Sequence, residues 1–270
     1  MRPELSTLDI SIEDHVAEVA LNRPDKANSM NSAMWREFQT CFEWLDQTDD
    51  VRAIILRGNG KHFCAGIDLS MFGELHSDND DPARRAEQFR LNVLGMQDNL
   101  TALEKCRKPV LAAIHHTCIG GGIDLVCCCD MRYATADAYF SVREVDIGMV
   151  ADVGTLQRLP KMIPQGVARE LAYTGRDMGA EEAREVGFVN RVFEQREAML
   201  EEVRQVARTI AAKSPLVIRG TKDMLLYTRD HSVADGLNYI ATWNAGMMSA
   251  VDLEEGIGAQ AEGRPARYRD

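Results

Sequence analysis

Three acidic residues stand in unusually apolar company. Asp124 lies in Ile123-Asp124-Leu125-Val126-Cys127, Glu144 in Val142-Arg143-Glu144-Val145, and Asp152 in Met149-Val150-Ala151-Asp152-Val153-Gly154. A carboxylate taken out of water needs a partner or a task. Each acid has a plain alternative. Asp124 suits the start of a helix, where the dipole favours negative charge, and Glu144 or Asp152 suits an ion pair or a cap. Three such acids near turns point instead to proton transfer. Burial and mutual repulsion raise some carboxyl pKa values, so that one acid keeps its proton while another is ionised.

Two loops could serve the same chemistry. Lys61–Leu69 carries the small residues Cys64, Ala65 and Gly66. Cys118–Asp124 carries Gly120, Gly121 and Gly122. Each follows a β-prone run and opens a helix. Small residues let a ligand approach the backbone, and a pair of N–H groups from two such turns is what a thioester oxyanion requires. Either loop alone reads equally as a packing turn. The triple glycine is neither a dinucleotide fingerprint nor a P-loop, since it lacks their spacing and the lysine.

The elements that must position these residues follow from periodicity. Leu8–Ile12 and Val16–Leu21 form a hairpin around Glu13-Asp14-His15. Asn31 or Ser32 caps a helix to Asp46, with Met34, Phe38, Cys41, Phe42 and Leu45 on one face. Val51–Arg57, Pro109–Ile114, Met131–Ala134 and Tyr139–Val142 are strands. Residues 73–84 form a mobile polar loop or the approach to the next helix, which runs from Pro82 or Ala83 to about Cys106. Another helix runs from the glycines to about Cys129. Helices are expected over 167–174, 180–186, 196–213, 217–229 and 231–249. Alternating strands and helices give way to helices alone, which implies an α/β fold with a helical C-terminal extension. Tyr239, Trp243, Met247 and Met248 form a stripe suited to core or subunit contact.

The bulk numbers narrow the partners. The chain has 270 residues and a formal net charge of -11. That balance argues against nucleic acid or an anionic membrane, while local N–H groups still suit an anionic small ligand. Seven cysteines, three of them consecutive at Cys127, Cys128 and Cys129, show no metal-ligand spacing and read as buried reduced thiols. Met1–Ile12 has no apolar leader core and the last four residues are not a peroxisomal address, so a cytoplasmic enzyme is expected.

At this point a resemblance appears. Asn22–Asn31, Phe63–Asp68, Gly120–Asp124 and Gly154–Pro160, in that order, resemble the signatures of the crotonase (enoyl-CoA hydratase/isomerase) superfamily. Ala180–Asn190 resembles its later helix and strand, and Asp252–Pro265 its C-terminal helix. The resemblance implies a crotonase-like spiral of ββα repeats with a helical C-terminal trimerisation region. It implies residues 1–200 as the core with a CoA-thioester site and 201–270 as the helical region of the same domain. The Ile67 and Gly121 N–H groups match the two oxyanion donors. Ala65, Gly66, Asp68 and Leu69 match the segment along the adenine and pantetheine, and Lys26 and Ala27 lie near the CoA phosphates. The partners implied are an acyl-CoA thioester and two or five further copies of the chain, in a trimer or hexamer. No metal or redox cofactor follows from it.

The acids indicate the subclass. Hydratases that resemble this chain carry Glu at the positions of Asp124 and Glu144 and usually Gly at that of Asp152. The stretches around all three acids are most similar to the Δ3,5-Δ2,4-dienoyl-CoA isomerases, in which they are the active-site acids. The implied reaction removes a proton from C2 and delivers one at C6. An enoyl-CoA hydratase using Asp124 and Glu144 is the alternative. A non-catalytic CoA-ligand or RNA-binding protein on the same fold fits less well, given the acidic charge and the three acids.

Overall fold

The computed structural model describes residues 1–74 and 79–270. The chain opens with the expected hairpin, β1 (Leu8–Glu13) and β2 (Val16–Leu21), antiparallel with Leu8 opposite Leu21. Asp14 and His15 turn it with positive φ. A 3₁₀ turn at Pro24–Lys26 leads to α1 (Ser32–Asp46), whose first turn is capped by Asn31 Oδ1 accepting the Met34 N–H at 3.0 Å. The next strand, β3 (Ala53–Gly58), starts two residues later than its apolar run, because Val51 N–H closes a turn onto Thr48 O.

The short α2 (Met71–Glu74) and the long α3 (Pro82–Lys105) follow. Asp81 caps α3 through the Ala83 N–H, with Pro82 in its first turn. Of the polar stretch 73–84, residues 79–81 lead into α3 as the approach to that helix, and residues 73–74 belong to α2. Residues 75–78 of it lie outside the described residues.

Strand β4 (Val110–Ile114) is buried throughout. After it come β5 (Thr117–Ile119), α4 (Gly121–Cys127), β6 (Met131–Thr135), β7 (Tyr139–Ser141) and α5 (Thr155–Arg158). Then follow α6 (Gln165–Thr174), β8 (Met178–Gly179), α7 (Ala180–Glu185) and β9 (Arg191–Phe193). A helical tail completes the chain: α8 (Arg196–Ala211), α9 (Pro215–Asp230), α10 (Val233–Met247) and α11 (Ala250–Glu262). The helix expected over 231–249 is therefore α10 alone. It ends where Met248 turns extended, and Ser249 then caps α11 through the Asp252 N–H.

One sheet runs β1-β2-β3-β4-β6-β9, parallel from β2 onward. A smaller sheet, β5-β7-β8, lies apart from it in the hydrogen-bond pattern. Single bridges pair Met30 with Ile67 and Cys64 with Cys118. These bridges carry the chain after β1–β2 and after β3 onto the second layer, as the repeating strand pairs of a spiral require. The main core packs α1, α4 and the inner faces of both sheets around Phe38, Phe42, Leu56, Leu125 and Phe140. A second core seats Met199, Val203 and Ala207 of α8 on Ile55, Leu111 and Tyr133. All seven cysteines are buried and unbridged.

Candidate active site

The two loops singled out in the sequence lie side by side. Cys64 N–H donates to Thr117 O at 2.9 Å, and Ile119 N–H returns to Cys64 O at 3.1 Å. Gly66 adopts φ +86° at the closest approach. A Cβ built there would stand 2.9 Å from Ile119 O and 3.3 Å from Gly121 N. A Cβ on Gly121 would stand 3.6 Å from Ile67 N. Glycine is required at Gly66, where two backbones meet at positive φ, whereas at Gly121 the nearest atom is the flexible Met30 terminal methyl at 2.5 Å.

The N–H groups of Ile67 and Gly121 thus come together. Gly121 is the first residue of α4, so its N–H has no partner within the helix. Ile67 is flanked by bonds that fix its peptide: Met30 N–H to Gly66 O at 2.8 Å and Asp68 N–H to Met30 O at 2.9 Å. Among the described residues neither N–H donates to another backbone group. Both N–H groups belong to residues of one pocket wall, as fixed dipoles able to donate to a ligand.

The three acids open onto the same pocket as these donors. Its wall comprises Asp124, Glu144 and Asp152 with Ile67, Gly121, Trp35, Phe89, Val93, Met96, Ile147, Met149 and Val153. Asp124 comes from the first turn of α4 and is 1% exposed. Its Oδ1 accepts the Thr155 N–H at 2.6 Å. Burial raises the Asp124 carboxyl to about 6 against that hydrogen bond, and the charge of Asp152 adds to the rise. Glu144 begins the 3₁₀ turn Glu144–Ile147 after β7. Its carboxyl is pushed up to about 7, first by burial and then by the charges of Asp124 and Asp152. Its Oε2 has no hydrogen-bond partner among the described residues. Asp152 sits on the loop before α5, and burial raises its pKa as well.

Such a set can hold a proton on one carboxyl and lack it on the next near neutral pH, which is the condition for moving a proton between two carbon atoms. The enclosed part of the pocket is about 40 Å³. That is far below the roughly 300–1,000 Å³ of a small-molecule site. Of the pocket's wall, Phe89 and Ile147 are exposed, at 45% and 51%.

The residues expected along CoA form a connected rim. Ala65 N–H donates to Ala27 O at 3.0 Å, joining the two segments. Lys26 is exposed on the 3₁₀ turn, Ala27 is left-handed with φ 49°, and Leu69 is exposed. Asp68 is committed to Arg23 at 2.9 Å and to the Ser70 hydroxyl at 2.8 Å. Its part in this rim is to fix the loop.

Gln97 carries no signal in the sequence, and Thr155 and Arg158 lie in the Gly154–Pro160 signature with nothing to mark what they do. Thr155 offers Asp124 its backbone N–H. Gln97 of α3 donates to the Asp152 carbonyl at 2.6 Å. Arg158 is paired with Glu104 at 3.1 Å and lies against Gly154, where a Cβ would stand 2.0 Å from its Nη1. These act across 31 to 55 residues of chain.

Comparison with known proteins accords with this geometry. Residues 11–270 match the family described as Enoyl-CoA hydratase/isomerase. The chain is 47% identical over 260 residues, 95% of its length and 80% of the relative's, to "Delta(3,5)-Delta(2,4)-dienoyl-CoA isomerase, mitochondrial" of Mus musculus. It is 44% identical over 268 residues, 97% of its length and 96% of the relative's, to the enzyme of that name called peroxisomal in Arabidopsis thaliana. A crystal structure of enoyl-CoA hydratase from Bacillus anthracis superposes with a TM-score of 0.89 at 30% identity, covering 98% of this chain and 99% of that one. The names of the mouse and plant relatives overturn the expectation of a cytoplasmic enzyme. The expectation rested on finding no address at either end of the sequence, and such an absence does not fix a location. The spiral fold expected from the resemblance is the fold of the solved relative, and the chain belongs to the enoyl-CoA hydratase/isomerase, or crotonase, family.

Proposed function

We propose that the protein is a dienoyl-CoA isomerase that converts a 3,5-dienoyl-CoA to the 2,4-dienoyl-CoA during fatty acid β-oxidation. The observation that carries this reading is the presence of Asp152 in one pocket with Asp124, Glu144 and the two backbone donors. The similarity to dienoyl-CoA isomerases at 44–47% identity supports it.

The thioester oxygen lies between Ile67 N–H and Gly121 N–H, with the CoA portion along Lys26, Ala27, Ala65, Gly66, Asp68 and Leu69. Glu144 takes a proton from C2, and the electron pair spreads over the dienolate to the thioester oxygen. Asp152 gives its proton to C6, and the double bonds move from C3 and C5 to C2 and C4. The shift is redox-neutral, so no electron acceptor enters the balance. C2 and C6 are four bonds apart, so two acids share the work. Asp124 tunes them, since its charge lifts the pKa of Glu144. General acid–base participation of each group is worth about 10²–10⁴-fold.

The chain also assembles as a trimer or a pair of trimers. Helices α9, α10 and α11 enclose an apolar groove of about 830 Å³ that includes Val217, Leu225, Leu237, Met248 and Ile257, all exposed. Apolar patches of this kind mark interaction surfaces, and closed symmetric assemblies are the common solution.

The deciding experiment offers purified protein 3,5-dienoyl-CoA and 2-enoyl-CoA in parallel. Absorbance follows the diene conjugated with the thioester in one case and loss of the enoyl thioester in the other. Rapid 2,4-dienoyl formation is expected. Fast hydration with no isomerisation would replace this reading with a hydratase.

A further inference from the structure

Two buried polar atoms in the pocket wall have no hydrogen-bond partner among the described residues: Oε2 of Glu144 and Nε1 of Trp35. Proton transfer occupies Glu144, but nothing so far uses the indole N–H. Trp35 is 2% exposed and packs with the apolar core. Phenylalanine would fill that space with no donor to satisfy. A buried indole N–H as a rule finds an acceptor, and here the acceptor must come from what enters the pocket.

The placement of the ring says which ligand atom it meets. Cζ2, on the pyrrole-nitrogen side of the ring, lies 3.6 Å from the point where a Cβ on Gly121 would stand. Ile67 N lies 3.6 Å from that same point, and the Met30 terminal methyl also closes on it at 2.5 Å. The indole edge and the Ile67 N–H therefore both border the space beside Gly121. The backbone ties them together too. Met30 brackets Ile67 with two hydrogen bonds, and five residues later the capped first turn of α1 presents Trp35. A donor on a capped helix is fixed before the substrate arrives, as transition-state stabilisation requires.

We propose that Trp35 donates its indole N–H to the thioester oxygen, as a third donor beside Ile67 and Gly121. This rests on the thioester reading of the site. As the proton leaves C2, negative charge grows on that oxygen, and the Trp35 bond strengthens with it. Trp35 thereby contributes to kcat more than to binding.

Nitrogen-15 labelling of the tryptophans tests this directly. The chain has three, Trp35, Trp44 and Trp243, and Trp35→Phe identifies the signal of interest. If that variant does not fold, Trp44→Phe and Trp243→Phe identify it by exclusion. The Trp35 indole proton is expected to move downfield when octanoyl-CoA is added and to stay in place with CoA thiol, which lacks the carbonyl. Trp35→Phe is expected to lower kcat for 3,5-dienoyl-CoA by about 10²-fold, in line with loss of one oxyanion donor, with KM changed only a few-fold. An indole signal indifferent to octanoyl-CoA overturns the proposal, as does a folded Trp35→Phe with near-parental kcat. A shifted pH profile in Trp35→Phe, with no thioester response of the indole, assigns the N–H to Glu144 through a water and also overturns it. A protein that hydrates enoyl-CoA without isomerising dienoyl-CoA would still show the thioester-dependent signal, so the two readings fail separately.

Discussion

Asp124 Oδ1 accepts the backbone N–H of Thr155 at 2.6 Å, which ties the start of α4 to the start of α5. One bond thus joins the glycine turn that carries the Gly121 donor to the loop that carries Asp152. Thr155 holds the carboxyl down against its burial, which nevertheless leaves it at about 6. Above that pH it is an anion beside Glu144.

Asp124→Asn keeps an oxygen for the Thr155 N–H and removes the charge. Burial and then the Asp124 charge raise Glu144 to about 7, so removing the charge lowers the Glu144 pKa. The acid limb of kcat/KM for 3,5-dienoyl-CoA, near pH 7 in the parent, is expected to move to lower pH. Rates from pH 5 to 9 measure it, and a limb that does not move removes Asp124 from the tuning role.

The same burial has a stability consequence. A carboxyl raised on folding keeps its proton in the native state at pH values where the unfolded chain has lost it. For Glu144 that window runs from 4.5 to about 7. The native state binds more protons there, so unfolding free energy falls as pH rises through the window and stays lower above it. Glu144→Gln is always neutral. It is expected to melt a few degrees above the parent at pH 8, on a scale of about 2–4 °C per kcal/mol, and to match it at pH 4. Thermal unfolding at both values is the check, and an advantage that persists undiminished at pH 4 would trace to packing instead.

These two expectations depend on features that differ in how far sequence reveals them. The acids stood out because Asp124, Glu144 and Asp152 interrupt apolar runs, a local signal. The glycine turns stood out because Gly66 and Gly120–Gly122 follow strands. The long helices followed from periodicity. By contrast β5, β8 and β9 are two or three residues long and exist only through their neighbours. Ser249 was absorbed into an apolar helical run, although its hydroxyl caps a new helix. Gln97 and Trp35 are ordinary residues where they occur, and Thr155 lies in the Gly154–Pro160 signature with nothing to mark its N–H. Their parts arise from a backbone N–H on Asp124, an amide on the Asp152 carbonyl and an indole edge in the pocket wall, brought there by separate elements, and local composition does not record such convergence.

The oxyanion turn separates two glycines by what a side chain would do. Gly121 is the first residue of α4, a position where proline is tolerated. Gly121→Pro is therefore expected to fold, to lose the donor and to abolish turnover. Gly66→Ala adds strain at φ +86° and a Cβ 2.9 Å from Ile119 O, so it is expected to lower both activity and melting temperature. Ile67→Val keeps its N–H and should retain most activity. Substantial turnover by Gly121→Pro would show that the thioester oxygen lies elsewhere.

The exposed groove of α9–α11 sets an expectation for mass. At micromolar concentration the protein should elute with the mass of three or six chains. Charged replacement of Leu237 and Met248, both exposed in that groove, should lower it. A parental mass equal to one chain contradicts the assembly.

Asp152 provides the sharpest division between isomerase and hydratase. Hydration acts at C2 and C3, and Asp124 with Glu144 would suffice for it. A proton delivered at C6 needs an acid farther along the acyl chain, and Asp152 is the remaining acid of the pocket. Its carboxyl is raised by burial, which favours the protonated form that a donor to carbon requires. Its loop is anchored by the Gln97 amide on the backbone carbonyl and by Thr155 on Asp124, and neither bond involves the Asp152 side chain. Asp152→Asn should therefore leave the loop in place. The variant is expected to bind acyl-CoA as the parent does and to lose isomerisation of 3,5-dienoyl-CoA by about 10²-fold or more. Any slow hydration of 2-enoyl-CoA by the parent should survive the change. Isomerisation at the parental rate would reduce Asp152 to a structural residue and remove the main support for transfer to C6.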